Sequence, residues 1–274
     1  MVRDVKDSCF PIDTNGMIYY SRVIMCCFSG KVKHVSDTSI FCRMGAQGNQ
    51  VVIYSMILET ENDVAMVLPV PVTEARDEAS VKFINLSAYE DFFPKLDRAF
   101  PAPRMFGGGA DPFGGSVKSA PALEVKSVGN FAASFVPRIG DFSRLDEQFR
   151  IPDGVWKKLP QYADYGFVVF KLKAGHTRVH PMAFSFPARD RSRITFPTVH
   201  IHDGTVHPVA AFDHSLYCQS SSSEVKISWQ ESVALAGGYV NLLKLQGTVT
   251  GNAHVYKRQM VGDFENVDVM VPSV

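Results

Sequence analysis

Residues 51–72 read VVIYSMILETENDVAMVLPVPV. Two apolar runs rich in β-branched side chains, 51–58 and 64–72, flank a charged tip at 59–63. Runs of this length around a short polar turn predict two strands joined as a hairpin. Pro69 and Pro71 put the end of the second run at a sheet edge or beyond the ladder, because proline has no N–H to donate. Working outward, residues 81–86 predict another short strand, and residues 89–99 a short helix broken at Pro94.

Residues 101–121, PAPRMFGGGADPFGGSVKSAP, are dense in glycine and proline and predict a linker or long loop. Its triple glycine lacks the Lys-Ser/Thr and the strand–turn–helix setting of a phosphate cradle. Beyond it, residues 123–128 and 130–136 predict a strand pair. A short helix is expected over 141–149, with Asp141 or Ser143 as its N-cap, and one or two helical turns over 155–162. Strands are expected at 166–174, 179–188 and 194–203. Valine-rich strands separated by Gly247, Gly251 and Gly262 are expected in the tail, 239–274. Residues 51–72 and 168–189 share a layout of strand, charged tip and apolar run with proline, which suggests two similar halves.

The expected organisation is a leader or extension over 1–25, a first β-rich half over 26–100, the linker, and a second β-rich half over 122–274. The expected fold class is α+β and β-rich: a sandwich or distorted barrel with a few short helices. The 274 residues are 46% hydrophobic and 20% charged, which is ordinary for a soluble globular protein. Lys+Arg and Asp+Glu are 28 each, which argues against a broad basic footprint for nucleic acid. No apolar run reaches the ~18 residues that span a bilayer, so no membrane partner is expected. Residues 17–28 are too short for a signal peptide and carry Arg22 in their middle.

Five cysteines, Cys9, Cys26, Cys27, Cys42 and Cys218, are irregularly spaced with no CxxC pair. This is the pattern of reduced thiols in a cytoplasmic protein rather than a disulfide framework. Met25 reads as a candidate true start. Removal of that methionine would leave Cys26 at the N-terminus, where a thiol beside its own α-amine is a candidate nucleophile or metal ligand.

Several motifs recur in one order: the pair Cys26-Cys27, Leu-Pro-Val-Pro at 68–71, Val-Gly-Asn-Phe at 128–131, Leu-Pro-x-Tyr at 159–162, and Gly-Phe-Val-Val-Phe-Lys at 166–171. With these motifs, residues 26–175 resemble a bacterial family of uncharacterised proteins known as a domain of unknown function. The resemblance implies a β-rich α+β domain and supplies no mechanism. Several family members carry the cysteine pair just after a signal peptide, which this chain does not.

Four of the eight histidines fall in fifteen residues outside that span: His200, His202, His207 and His214. Asp203 and Asp213 are interleaved, and Cys218 follows. Imidazole, carboxylate and thiolate are the side chains that bind transition metals. If residues 194–202 are extended, His200 and His202 project to one side, about 6–7 Å apart. Asp203-Gly204 then supplies a turn that brings His207 back, and His214 completes a set of three or four. Asp203 or Asp213 would orient an imidazole or act as base toward a bound water. Cys218, on a helical turn after His214, would offer sulfur.

The spacing matches none of the cupin, amidohydrolase or metallo-β-lactamase patterns. His176 and His180, at about 13 Å along a strand, are too far apart to share an ion. No G-x-S-x-G and no G-x-G-x-x-G before a helix is present. The leading expectation is a divalent transition-metal site, zinc first and iron or copper next, in a metal-dependent hydrolase or oxidase acting on a small molecule. The alternatives are a non-catalytic β-rich binding or structural module, and a cysteine-dependent enzyme using Cys26. Oligomeric state is left open.

Overall fold

The computed structural model describes residues 27–74, 76–100, 126–128, 131–201 and 204–274. The expected leader, the linker, and Cys26, His202 and Asp203 lie outside the described residues.

The strands, in chain order, are β1 (Cys27–Phe28), β2 (His34–Met44), β3 (Asn49–Thr60), β4 (Val64–Val70), β5 (Lys82–Asn85), β6 (Lys126–Val128) and β7 (Phe131–Val136). They continue with β8 (Gly166–Leu172), β9 (Gly175–Pro187), β10 (Arg193–Phe196), β11 (Val209–Gln219), β12 (Gln230–Glu231), β13 (Tyr256–Glu265) and β14 (Val269–Pro272). Three short helices, α1 (Phe92–Asp97), α2 (Asp153–Trp156) and α3 (Ser223–Ser228), and several short 3-10 segments lie between the strands. The protein is β-rich, with a seven-stranded sheet ordered β12-β13-β11-β2-β3-β9-β5, a five-stranded sheet ordered β1-β4-β8-β7-β6, and the pair β10-β14. Among the described residues neither large sheet closes into a barrel.

The run at 51–72 does not form a hairpin. β3 pairs with β2 and β9 in the seven-stranded sheet, and β4 pairs with β1 and β8 in the five-stranded one. The charged tip is the point where the chain leaves one sheet for the other. The physical reason is burial. Nearly every residue of β3 and all of β4 are buried, so each strand needs a partner on both edges and a layer on both faces. The segment 166–187 makes the same crossing in reverse. Asn49 lies opposite Pro187 and Thr60 opposite Gly175, and the pairing resumes with Val64 opposite Leu172. One antiparallel ribbon thus runs through both sheets. β1 covers β4 only at Met66 and Val67, so Pro69 sits where one side of β4 is an edge, as proline requires.

The main core lies between the sheets, where Ile40, Tyr54 and Phe184 meet Met66, Val168 and Phe170. A second core covers the outer face of the five-stranded sheet with Phe142, Trp156 and Tyr162. A third covers the seven-stranded sheet with Phe92, Phe93 and Leu96 of α1 and with Val240, Leu245 and Val249.

Four local expectations change. Pro94 does not break α1, because the helix starts at Phe92 and the proline falls in its first turn, where the N–H has no intrahelical partner. Residues 141–149 form two 3-10 turns separated by extended backbone at Leu145 and Asp146, and Arg138 holds the N-cap position. The strand expected over 194–203 ends at Phe196. Residues 239–255 form turns rather than strands, and Gly262 lies inside β13.

Strands from before and after residue 101 interleave in both large sheets. β2, β3 and β5 sit among β9, β11 and β13, and β4, with β1 on its other edge, sits beside β8.

Candidate functional site

β11 is an alternating strand with one face turned into the sandwich. That face carries Phe212, His214, Leu216 and Cys218, all buried. His200 lies in the connection between β10 and β11, which folds back over β11. Its ring stacks on Phe212 at a centroid distance of 4.1 Å and lies 5.3 Å from that of His214 at 22°. Exposure is 2% for His200 and 1% for His214.

The fold brings these two predicted residues together and keeps others away. Asp213 projects from the opposite face of β11, as the neighbour of an inward residue must. Its carboxylate accepts the Asp37 N–H at 3.0 Å, at the bulge in β2 where Asp37 takes a positive φ of 50°. It therefore does not orient His214. The His207 residue is exposed, so the turn after residue 203 does not return it to the buried pair. Cys218 shares the face of His214, but on a strand rather than a helical turn, which separates the two by about 13 Å. Its register neighbour is Cys42 of β2. Among the described residues no group of three or more His, Cys, Asp or Glu side chains is placed to hold a metal ion.

Burial, and then the proximity of His200, lower the His214 pKa well below that of an ordinary imidazole. Neither His214 ring nitrogen has a hydrogen-bond partner among the described residues. The neutral ring behaves as a flat packing group in an aromatic stack. Burial raises the Cys42 thiol well above its usual value, with Cys218 adding to the effect, and burial raises Cys218 as well. Both are inert thiols rather than nucleophiles.

Two residues that the sequence reading passed over hold this region in place. Asn266 accepts the His200 N–H at 2.7 Å and donates to the carbonyls of His200 and His207, both at 2.9 Å. Asp268 accepts the N–H groups of Thr198 and Val199 at 2.9 and 3.0 Å. Burial pushes the Asp268 carboxyl up to about 7, against the pull of those N–H groups and of the Tyr162 hydroxyl. Asn-Val-Asp between two strands reads in sequence as ordinary turn chemistry. Only the fold reveals that these side chains satisfy a strap that has no ladder of its own.

The strap in turn secures the start of the described chain. Phe28 donates its N–H to Ile201 at 2.7 Å, and the Cys27 thiol donates to the Val199 carbonyl at 3.3 Å. β1 is thereby held between β4 and the strap.

Comparison with solved structures finds the same fold in baculovirus p35. The p35 crystal structure aligns with a TM-score of 0.54 at 13% identity, over 91% of this chain and 99% of p35. A mutated baculovirus p35 after caspase cleavage gives 0.48 at 13% identity, over 87% of this chain and 100% of the other. A caspase-8/p35 complex gives 0.44 at 10% identity, over 87% and 96%. No family model matches the chain, and no curated protein matches it in sequence.

Proposed function

We propose that this chain is a non-catalytic, β-rich binding module whose partner is a protein, with caspases as the first class to test. The observation that carries this reading is the likeness in fold to p35, which extends over nearly all of both chains. p35 has itself been solved in a complex with caspase-8. A surface feature supports a protein partner. Ile227, Val233, Leu235, Leu242 and Leu243 are exposed within seventeen residues, with Ile227 at 86% and Leu243 at 91%. Exposed large apolar side chains gathered in one stretch of sequence make that stretch a candidate interaction site.

Mixing the full chain with active caspase-8 tests the reading. The expected result is co-elution on size exclusion and loss of cleavage of a fluorogenic aspartyl peptide. Separate elution and full protease activity at molar excess would remove caspase-8 as the partner.

One observation favours a second reading, a transition-metal site. His200 and His214 present two imidazoles side by side in a sealed environment, and His214 has both nitrogens available among the described residues. A protein zinc site takes three or four such ligands, and His202 and Asp203 would have to supply the rest. Elemental analysis of the wild type against His200→Ala/His214→Ala separates the readings. Stoichiometric metal that disappears in the variant supports the site, and a metal-free wild type removes it.

A further inference from the structure

Outside the five-stranded sheet, the 3-10 turn Ile139–Arg144 faces α2 and the 3-10 turn Pro160–Tyr162 across a hollow of about 520 Å³. Its apolar lining includes Ile139, Trp156, Pro160 and Ala163, and its cations are Arg150 and Lys157. The volume lies within the ~300–1,000 Å³ typical of small-ligand sites.

The electrostatics of this hollow are unbalanced. The lining holds two cations and no carboxylate, while nearby Glu78 and Asp141 pair with Arg144 and Asp146 pairs with Lys171. Arg150 and Lys157 have no carboxylate partner among the described residues. The Arg150 fork is nevertheless fixed. Its Nε and Nη2 donate to the Leu145 carbonyl at 2.8 and 2.5 Å, and Nη2 donates to the Ser143 carbonyl at 2.7 Å. Neutral backbone oxygens position the cation without cancelling its charge, leaving it prepared for an anion.

Trp156 forms the rigid part of the apolar wall. The residue is 2% exposed and is held by Phe142 and Phe167, with ring centroids at 5.5 and 4.6 Å. Its Nε1 is buried with no hydrogen-bond partner among the described residues. The lining therefore combines an apolar wall with two cations.

We infer that this hollow binds a small amphipathic anion, a carboxylate with a medium-length aliphatic or aromatic tail. The tail lies against Ile139, Trp156, Pro160 and Ala163, and the carboxylate meets Arg150 and Lys157. The inference is independent of the protein-partner reading, because it concerns a different face and a different chemical class.

Calorimetric titration of the full chain with decanoate, with decanol as the neutral control, tests it. Lys157 and Ala163 are exposed, so Lys157→Glu and Ala163→Trp leave the core intact, as matching melting curves will verify. The expected result is saturable one-to-one binding of decanoate, weakened at least about threefold by Lys157→Glu and abolished when Ala163→Trp fills the hollow. Decanol should bind at least about threefold more weakly than decanoate. The inference is overturned by an absence of saturable binding below the decanoate micelle concentration, by unchanged binding in Ala163→Trp, or by equal affinity for decanol.

Discussion

At the scale of single residues, Asn266 and Asp268 do more for this region than the histidines that stand out in the sequence. Asn266 makes three hydrogen bonds to the strap backbone. Asn266→Ala leaves buried peptide groups unpaired and should destabilise the protein by about 2–3 kcal/mol, read from the urea midpoint. Asp268 gives a pH signature. Its folded-state value of about 7 lies above the 3.8 of a free aspartate. The folded chain therefore binds this proton more tightly than the unfolded chain. The stability the proton confers is fully present below about pH 4 and is lost as pH rises through 7. Between pH 5 and pH 8 the wild type should lose stability through this group, and Asp268→Asn should not. Urea unfolding of both proteins at the two pH values checks this. If the two slopes are equal, Asp268 is not the titrating group. The cysteines give a simpler expectation. Cys27, Cys42 and Cys218 are buried and should resist alkylation in the native protein while labelling fully in denaturant, as mapped by peptide mass.

At the scale of elements, strand character was legible because it depends on local composition. The apolar runs at 51–58, 64–72 and 166–174 all became strands. Their partners were not legible. A strand buried on both faces carries no alternation to say which sheet it joins, so β3 and β4 read as neighbours when they belong to different layers. Among the described residues the predicted cluster comes together only at His200 and His214, for a related reason. One-dimensional proximity places Asp213 beside His214, and the period of a strand turns them to opposite faces. Gln50 shows what the sequence hides. Fully buried in β3, it accepts the Thr195 N–H at 2.9 Å and donates to the Thr195 carbonyl at 2.6 Å. A side-chain amide here replaces a missing strand contact and ties the β10-β14 pair to the large sheet. Gln50→Leu is nearly isosteric but leaves the Thr195 N–H without this acceptor and its carbonyl with only the Cys42 thiol at 3.7 Å, and should cost about 1–3 kcal/mol. Chemical denaturation measures this, and a change under 1 kcal/mol would show that water replaces the amide.

At the scale of the whole molecule, the interleaving of early and late strands makes the protein one cooperative unit. Residues 26–100 hold β2 and β3, whose outer edges need β11 and β9, and β4, which needs β8. Neither 26–100 nor 122–274 should fold alone. Proton NMR of each fragment should show collapsed amide dispersion, restored on mixing only if the fragments reassociate. A dispersed spectrum from either fragment would mean that its sheet edges are dispensable. The same interleaving sets a timetable for synthesis. β2 and β11 lie side by side in parallel, Thr38 opposite His214 and Arg43 opposite Gln219. On a ribosome moving at ~5–20 residues per second, β2 waits roughly 10–30 s for that neighbour to emerge. Throughout that interval one flank of the nascent hairpin lies open to other chains, so the yield of native protein in the cell should depend on chaperones that shield unpaired strands.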